Sequence, residues 1–442
     1  NEAVAMTGGQ PIDGTLSVSD LVLQLRGEGV RRIALVSDQP DTFKGQFNDI
    51  PGFSLHHRDK LEALQIELRE VTGTSVIIYQ QLCATEKRRQ RKKGKAARPP
   101  RRIVINDAVC EGCGDCGAES NCLSVLPKDT LLGRKRQIDQ NACNADYSCL
   151  KGFCPSFVSV VGAEPRHPES SAQPVTLLPS LPEPNLPDLS VPWNTVVAGV
   201  GGTGVLTISS LLAMAAHIEG KGCATLNQTG LAQKFGAVTS HVRIASNQEQ
   251  IKAVRIPAGE ADLLVGCDLV VTAGYECLAK AAIGRTHALV NVAEQPTASF
   301  IHDPDAKFPV EGMQRKISRE VGAEITFVNA TQVAKELLGD TIGANLFLMG
   351  CAWQKGWIPV SRQALIEAIE VNNVAVAFNK EAFELGRHYA HAPDSVYQRF
   401  QRSPLVQSKP PTMTLDQMIA DRVARLTAYQ NTAYAQQYRE HI

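Results

Sequence analysis

Seven cysteines crowded into one stretch constrain this chain more than any other feature of its sequence. Four lie within thirteen residues and three follow: Cys110, Cys113, Cys116, Cys122, Cys143, Cys149 and Cys154. Such crowding indicates a disulfide framework, a zinc site or an iron–sulfur cluster. The surrounding region, residues 103–162, has few long apolar runs. We therefore expect it to depend for its stability on whatever the thiols bind.

The spacing of these cysteines favours an iron–sulfur cluster. In ferredoxins a C-x2-C-x2-C loop and a remote Cys-Pro pair supply thiolates to [4Fe–4S] cores. The cysteines that match are Cys110, Cys113, Cys116 and Cys154, the last of which precedes Pro155. The intervening glycines would let backbone amides turn toward the sulfur atoms, which raises the reduction potential. Zinc prefers paired C-x2-C knuckles and disulfide frameworks belong to small secreted domains, so both fit less well.

The remaining three cysteines of the region leave two interpretations open. Cys122, Cys143 and Cys149 are one thiol short of a second cubane, and their spacings differ from those of two-cluster ferredoxins. A second centre would need a three-iron core or an oxygen ligand such as Asp139 or Asp146. The alternative is that the three are structural thiols.

The chain divides into segments of different composition. Two of them alternate apolar strands with helical patterns, which is typical of α/β layers, so we predict an α/β multidomain protein. The segments are an α/β segment (1–85), a basic linker (86–102), the cysteine region (103–162), a proline-rich linker (163–192), a second α/β segment (193–402) and the start of a helical unit (403–442).

Charge and hydropathy exclude several classes of function. Lys plus Arg and Asp plus Glu number 45 each, so no overall charge draws the chain to nucleic acid. The basic linker lacks interleaved aromatic residues and is expected to be a solvated arm or, at most, a docking site for an acidic ferredoxin. No long apolar run or signal-peptide pattern is present, which predicts a cytoplasmic protein without membrane contact. The pair His56-His57 is expected on a loop facing water.

A glycine loop opens the second α/β segment. Gly199, Gly201, Gly202 and Gly204 lie between a predicted strand and a predicted helix, where a phosphate-bearing ligand could meet free backbone amides. The next strand, "CATLNQ", has no acidic residue to bind a ribose, which argues against a standard NAD site. Close packing of helix on strand is the competing explanation for the glycines.

Several longer segments resemble the 2-oxoacid:ferredoxin oxidoreductases. They are "NEAVAMTGGQP", "CATEKRRQRKKGK", "CEGCGDCGAESNCLSV", "GRKRQIDQNACNADYSCLKGFCPSF", "GVGGTGVLTISSLLAMAA", "LNQTGLAQKFGAVTSHVRI" and "GDTIGANLFLMGCAWQKGWIPVS". In this order they are similar to the C-terminal part of the long, fused bacterial indolepyruvate branch. The resemblance implies the end of a thiamine-diphosphate domain, a ferredoxin-like region and a gamma-type domain.

The resemblance also implies an activity. The family oxidatively decarboxylates an aryl or branched-chain 2-oxoacid with coenzyme A, giving acyl-CoA and CO2, and passes electrons through an iron–sulfur cluster to ferredoxin. It implies thiamine diphosphate and Mg2+ as cofactors and a homo-oligomer. A non-catalytic electron-transfer subunit that serves a separate thiamine-dependent partner is the alternative.

The family's motifs carry over to named positions near the start of the chain. Asn1 would bind Mg2+, with the backbone carbonyl of Ala3 as the next ligand. The turn beside the cofactor would comprise Thr7, Gly8, Gly9 and Gln10. The family's G-D-G motif and activating glutamate would precede Asn1, so we expect an inactive fragment whose catalytic residues lie elsewhere. Arg243 and Asn345 match family positions lining a domain interface.

Overall fold

The computed structural model describes most of the chain. The described residues are 3–4, 10–11, 14, 16–82, 84–92, 94–97, 99–163, 180–201, 203–229, 236–295, 300, 303, 305–401 and 413–442. They belong to two compact units, one formed mainly by residues up to 100 and one mainly by residues from 101 onward. None of the helices among these residues is long and apolar enough to cross a membrane.

The described residues form both β-strands and α-helices, as expected for a mixed α/β protein. The strands are β1 (Ala3–Val4), β2 (Gln10–Pro11), β3 (Arg32–Ser37), β4 (Phe53–His57), β5 (Ser75–Gln80), β6 (Arg101–Ile105), β7 (Val125–Thr130), β8 (Gly133–Ile138), β9 (Phe157–Val161), β10 (Trp193–Val200), β11 (Gly222–Thr229), β12 (Ala237–Ala245), β13 (Leu263–Gly266), β14 (His287–Asn291) and β15 (Ile325–Val328). The helices are α1 (Val18–Gly27), α2 (Leu61–Arg69), α3 (Ala84–Lys92), α4 (Asp115–Ser120), α5 (Val205–Ile218), α6 (Leu269–Thr272), α7 (Tyr275–Leu278), α8 (Val310–Val321), α9 (Ala330–Leu338), α10 (Ala344–Gln354), α11 (Arg362–Asn372), α12 (Val376–His391), α13 (Pro393–Gln401), α14 (Leu415–Tyr429) and α15 (Thr432–His441).

The first unit contains a parallel three-stranded sheet in the order β4-β3-β5. Alternate residues of the central strand face opposite sides, so Ala34 and Val36 pack with α2 while Leu35 packs with Val22 of α1. The predicted strands and helices of this segment are therefore confirmed. A small antiparallel ribbon, β1 with β2, also belongs to this unit.

The expectation of a loop at His56-His57 is wrong. Both residues lie in β4, where they pair with Val36 and Ser37 of β3. Nε2 of His56 lies 2.7 Å from the Ser54 hydroxyl, and His57 caps the following turn by accepting from the Asp59 amide. "FSLHH" escaped prediction because its pairing with β3, which lies elsewhere in the chain, makes it a strand despite its polar end.

The two predicted linkers are more structured than expected. The basic segment contains α3, and its last two residues, Arg101 and Arg102, begin β6. The described end of the proline-rich segment packs against the second α/β domain. Gln354 Nε2 donates to the carbonyl of Pro182 at 2.7 Å, and Leu189 packs against the domain's core.

The cysteine region is built from two antiparallel ribbons, β6 with β9 and β7 with β8, and the short helix α4. Its core is small, with Ile103, Ile105 and Val125 among its buried apolar side chains. Such a region gains little from hydrophobic burial, as predicted from its composition.

The second α/β domain is a six-stranded sheet in the order β11-β12-β10-β13-β14-β15. Strands β10, β13, β14 and β15 are parallel, whereas β12 runs antiparallel to both of its neighbours. Val197 faces a layer containing α5 and α10, and Val196 faces a layer containing α6 and α8. Burial on both faces explains the continuous apolar runs of these strands.

Two glycines allow an unusually close contact between α10 and α12. A Cβ on Gly350 would lie 1.9 Å from the Phe383 carbonyl oxygen, and one on Gly386 would lie 2.0 Å from the Phe347 carbonyl oxygen. The Cys351 thiol donates to the Gly386 carbonyl at 3.1 Å. The helices therefore meet backbone to backbone, and nothing larger than glycine fits.

We expect Gly350→Ala to destabilise the protein by about 1–3 kcal/mol or more, because the added methyl group must push two buried helices apart. Gly312→Ala is the matched control, since Gly312 lies in α8 and a Cβ added there would have no atom within 4 Å. That change should be neutral or stabilise by up to about 1 kcal/mol. Chemical denaturation measures both, and equal effects would contradict the close-contact explanation.

Candidate functional site

The pairing of β6 with β9 brings the two separated parts of the cysteine motif together. Ile105 lies opposite Phe157, and the Asn106 amide donates to the Ser156 carbonyl at 2.8 Å. The Asn106 carbonyl in turn accepts from the Cys110 amide at 2.9 Å. The first cysteine of the loop and the Cys154-Pro155 pair therefore lie at the same end of one ribbon.

The loop from Cys110 to Cys116 turns at two glycines in the left-handed region. Gly112 has φ +81° and Gly114 has φ +89°, and Gly114 caps the start of α4. A Cβ on Gly112 would lie 2.2 Å from the Arg134 carbonyl oxygen of β8. Glycine is therefore required at residue 112 both by the backbone conformation and by the contact with β8.

The other three predicted cluster ligands act electrostatically on Cys116. Burial raises the pKa of Cys116 to about 11; Arg136 opposes this rise, and Cys110, Cys113 and Cys154 add to it. Cys110 is buried, Cys116 is half-buried, and Cys113 and Cys154 are exposed. The Cys154 sulfur also lies 3.0 Å from the Ser156 hydroxyl. Four thiols at the same end of one ribbon form a donor set suited to a cationic iron core.

No disulfide joins any of the described cysteines, so the disulfide interpretation finds no support among them. Within the described residues, no three His, Cys, Asp or Glu side chains converge as ligands of a single metal ion. A cubane binds each thiolate to a different iron, so its ligands need not converge on one point.

The other three cysteines of the region lie on different elements. Cys122 follows α4, Cys143 lies between β8 and a 3₁₀ turn, and Cys149 lies within that turn, Ser148–Leu150. The turn packs against α4, which places the segment carrying Cys149 beside the helix that carries Cys116. All three are half-buried. Their role in a second cluster stays a prediction.

The predicted thiamine-diphosphate residues lie largely outside the described part of the chain. Asn1, Thr7, Gly8 and Gly9 are not among the described residues. Ala3 and Gln10 lie in β1 and β2, which pair so that Ala3 is opposite Pro11 and Val4 is opposite Gln10. The ribbon thus brings Ala3 and Gln10 near each other, and their binding role stays a prediction.

Packing and backbone conformation explain why glycine occupies the described positions of the loop after β10. A Cβ on Gly199 would lie 2.8 Å from Val205 Cγ2 of α5 and 2.9 Å from Cys267 Cβ. The Gly201 amide donates to the Gly236 carbonyl at 2.8 Å, and Gly204 has φ +100°. Close helix–strand packing therefore accounts for Gly199, and one loop amide already has a partner. Gly202 lies outside the described residues, and binding of a ligand by the loop stays a prediction.

Asn345 and Arg243 have definite partners. The Asn345 side-chain amide donates to the Thr203 carbonyl at 2.9 Å and so holds the glycine loop against α10. Arg243 Nε donates to the Asn194 side chain and its Nη1 to the Ala253 carbonyl, each at 2.9 Å. Both contacts lie within the second α/β domain, so both residues stabilise the fold of that domain.

Two buried titratable residues were not predicted from the sequence. His241 of β12 accepts the Ile256 amide on Nδ1 at 3.0 Å, and burial lowers the pKa of His241 to about 4. Asp268 caps α6 by accepting the Val271 amide at 2.8 Å, and burial raises the pKa of this carboxyl group. Each side chain accepts a hydrogen bond from a backbone amide. This is a structural role that no sequence motif predicts.

Comparison with known proteins identifies the second α/β domain. Residues 194–389 match the family described as pyruvate ferredoxin/flavodoxin oxidoreductase. The chain is similar to indolepyruvate oxidoreductase subunit IorB of Archaeoglobus fulgidus, with 30% identity over 199 residues, covering 45% of this chain and 94% of that protein. Its similarity to the same subunit of Thermococcus kodakarensis is 27% over 197 residues, covering 44% of this chain and 94% of that protein.

Two solved structures also match part of this chain. Subunit PORC of pyruvate oxidoreductase from Thermotoga maritima is 19% identical, covers 46% of this chain and 97% of its own, and has a TM-score of 0.33. The keto/oxoacid ferredoxin oxidoreductase gamma subunit from Geobacter sulfurreducens is 21% identical, covers 45% of this chain and 99% of its own, and has a TM-score of 0.32.

The sequence relatives define the class of this protein as a 2-oxoacid oxidoreductase. More specifically, the chain belongs to the 2-oxoacid:ferredoxin oxidoreductase family. The resemblance inferred from the sequence motifs is thereby confirmed at the level of the family.

We expect Gly112→Ala to reduce the iron and acid-labile sulfide that the chain retains after anaerobic reconstitution. The left-handed backbone conformation at residue 112 costs about 1–2 kcal/mol more for alanine than for glycine. The added methyl group would also collide with β8. Gly117→Ala is the control, because Gly117 lies in α4 with nothing within 4 Å of its Cβ position. Wild-type iron content in Gly112→Ala would show that the loop does not need its contact with β8.

The hydrogen bond to His241 predicts a pH-dependent stability. Because the pKa of His241 in the folded state, about 4, is below its unfolded value, the side chain stabilises the protein above about pH 6.5 and loses this effect as pH falls toward 4. The loss is at most about 1.4 kcal/mol per pH unit. We expect the stability difference between wild type and His241→Gln to shrink over that range in denaturant titrations. A difference independent of pH would contradict the buried, neutral histidine.

Proposed function

We propose that this chain carries the electron-transfer part of a 2-oxoacid:ferredoxin oxidoreductase that acts on aryl 2-oxoacids such as indolepyruvate. The observation that carries the proposal is the pairing of β6 with β9, which brings the loop beginning at Cys110 and the Cys154-Pro155 pair to one end of a ribbon, in a chain that also contains the family's oxidoreductase domain. In the proposed reaction, the 2-oxoacid and coenzyme A give an acyl-CoA, CO2, one proton and two electrons for ferredoxin.

The donor set fits a [4Fe–4S] cluster. Cys110, Cys113, Cys116 and Cys154 would hold it, since Cys110, Cys113 and Cys154 all act electrostatically on Cys116. When bound, the cluster supplies one-electron transfer at low potential. The described cysteines of this region carry thiols rather than disulfides, which also fits a reducing compartment such as the cytoplasm.

The protein's own residues would determine how electrons leave this site. Cys110 is buried on the β6–β9 side, whereas Cys113 and Cys154 are exposed. The residues from Lys151 to Pro155 are all exposed and form a surface segment around Cys154. An external ferredoxin would therefore approach at Cys113 and Cys154, where the least protein lies between the two centres.

The thiamine-dependent part of the proposal concerns the residues from Asn1 to Gln10. Thiamine diphosphate, when bound with Mg2+, supplies carbanion stabilisation for decarboxylation. Asn1 and the Ala3 carbonyl would bind Mg2+, and the turn from Thr7 to Gln10 would lie beside the cofactor. The pairing of β1 with β2 is compatible with this arrangement because it brings Ala3 and Gln10 into one ribbon.

The substrate and the assembly are inferred from the relatives. The curated relatives are named as subunits of an indolepyruvate oxidoreductase, which supports an aryl 2-oxoacid as substrate. Their being separate subunits also favours a second candidate: a non-catalytic electron-transfer subunit that serves a thiamine-dependent partner within an oligomer. Tight binding of thiamine diphosphate and Mg2+ by the complete protein that contains this chain would support the fused enzyme, and its absence would support the subunit.

The test of the electron-transfer role is Cys154→Ser in the complete enzyme. We expect loss of cluster iron and sulfide and collapse of substrate-dependent reduction of a viologen dye, while part of the CO2 release persists, because the thiamine cofactor performs the bond cleavage. Cys223→Ser is the control: Cys223 lies in β11, and burial raises the pKa of its thiol to about 11.

Two outcomes would contradict the proposed role. Dye reduction at the wild-type rate by a folded Cys154→Ser enzyme would remove Cys154 from the electron path. Zinc in place of iron, with no acid-labile sulfide in the wild-type chain, would refute the cluster itself.

A further inference from the structure

One arginine joins the cysteine region to the second α/β domain. Arg134 lies on β8 of the cysteine region, and its Nη1 donates to the Ala306 carbonyl at 2.7 Å. Its guanidinium carbon also lies 5.6 Å from the centre of the Phe300 ring. Phe300 and Ala306 belong to the second α/β domain, in the stretch between β14 and α8. The Arg134 side chain therefore connects two parts of the chain that are 172 residues apart.

The backbone of the same residue touches the proposed ligand loop. Gly112 lies between Cys110 and Cys113, and a Cβ on it would be 2.2 Å from the Arg134 carbonyl oxygen. The loop therefore rests directly on the backbone of β8. Arg134 thus contacts the loop through its carbonyl group and the second α/β domain through its guanidinium group.

The contact with the second α/β domain is the stronger restraint on the Arg134 side chain. Asp129, its cross-strand neighbour on β7, has a carboxylate oxygen 3.8 Å from Arg134 Nε, but the Asp129 side chain is 93% exposed, so water and salt weaken this ion pair. The hydrogen bond to the Ala306 carbonyl is part-buried and charge-assisted. The Phe300 ring also lies 4.8 Å from the Arg136 guanidinium carbon, so one ring contacts two residues of β8.

The contact also has a defined place in the topology of the domain. The stretch that holds Phe300 and Ala306 follows the end of β14 and leads through α8 to the parallel strand β15. The glycine loop follows β10, which runs parallel to β13, as does β14. Both connections therefore leave the sheet at its carboxyl edge, where open α/β sheets bind their ligands. Arg134 attaches the cysteine region to a connection that begins at this edge.

We propose that Arg134 is a positioning residue for the proposed [4Fe–4S] cluster, through which the geometry of the ligand loop depends on the second α/β domain. This inference rests on the proposed iron–sulfur function. Residues outside the ligand shell orient the ligands and support metal binding. Arg134 would act in this way through its backbone, because the carbonyl group under Gly112 belongs to the residue whose side chain Phe300 and Ala306 hold. The cysteine region has a small core of its own, so an external contact has a large share in fixing its loops.

The experiment measures the cluster in the anaerobically reconstituted chain. We expect Arg134→Met to raise the rate at which a chelator removes iron by about tenfold, the usual cost of losing a residue that supports metal ligands. The electron paramagnetic resonance spectrum of the reduced cluster should change too, because the loop geometry changes. Arg134→Lys keeps a cationic donor for the Ala306 carbonyl and should restore both properties in part. Lys135→Met is the matched control, because it removes the same charge from the next residue of β8, whose side chain points to the other face of the strand.

A second variant lies in the other domain. Phe300→Ala changes no residue of the cysteine region, and we expect it to cause the same faster iron loss and altered spectrum. Tyr275→Ala is its control, because Tyr275 is an aromatic residue of the same domain that is 81% exposed, and it should behave as wild type. If Arg134→Met assembles no cluster, a folded Phe300→Ala chain decides the question: an altered or absent cluster supports the inference, and a wild-type cluster refutes it.

Two further results would overturn the inference. One is a wild-type spectrum and iron-release rate in Arg134→Met, even if that variant is less stable, because the contact would then be purely structural. The other is a change confined to Arg134→Met while Phe300→Ala behaves as wild type, because the effect would then not come from the second α/β domain. Absence of iron and sulfide from the wild-type chain would instead refute the proposed function, so the two failures are distinguishable.

Discussion

The antiparallel pairing of β6 with β9 is the interaction on which the candidate site depends. The four thiols come from two segments that are far apart in the chain, and only this ribbon brings the segment before Cys110 next to the segment after Cys154. The hydrogen bond from the Asn106 amide to the Ser156 carbonyl extends the pairing past the ends of the strands toward the cysteines. Because the region has a small apolar core, a cluster bound at the proposed site would stabilise the ribbon.

Glycine serves a different purpose in each half of the second unit. In the cysteine region, Gly112 adopts a left-handed conformation and lets the loop approach β8, which in turn carries the buried Arg136. In the second α/β domain, Gly199, Gly350 and Gly386 allow elements to approach closely without a left-handed backbone. A glycine-rich motif that resembles a phosphate loop is thus explained in part by packing, since the neighbours of Gly199 are side chains of the domain itself.

The sequence predicted regular elements well where a local pattern determines them. The strands β3 and β5 and the helices α1 and α2 follow from apolar periodicity, and β10 followed by α5 follows from the strand–glycine–helix pattern. Prediction from the sequence failed where tertiary contacts determine the secondary structure. The strand β4 ends in two histidines and exists because β3 offers a partner, and left-handed residues at Asn373 and Ala375 separate α11 from α12.

The sequence by itself determined the membership in the 2-oxoacid:ferredoxin oxidoreductase family and the α/β class, and its spacing singled out four cysteines as candidate ligands, because spacing and residue type are local properties. Tertiary structure alone decided what surrounds those cysteines. No pattern exposes Cys113 and Cys154 while burying Cys110. Burial and charge at a site depend on the packing of residues distant in the chain, and these quantities set the chemistry of a thiol or a metal centre.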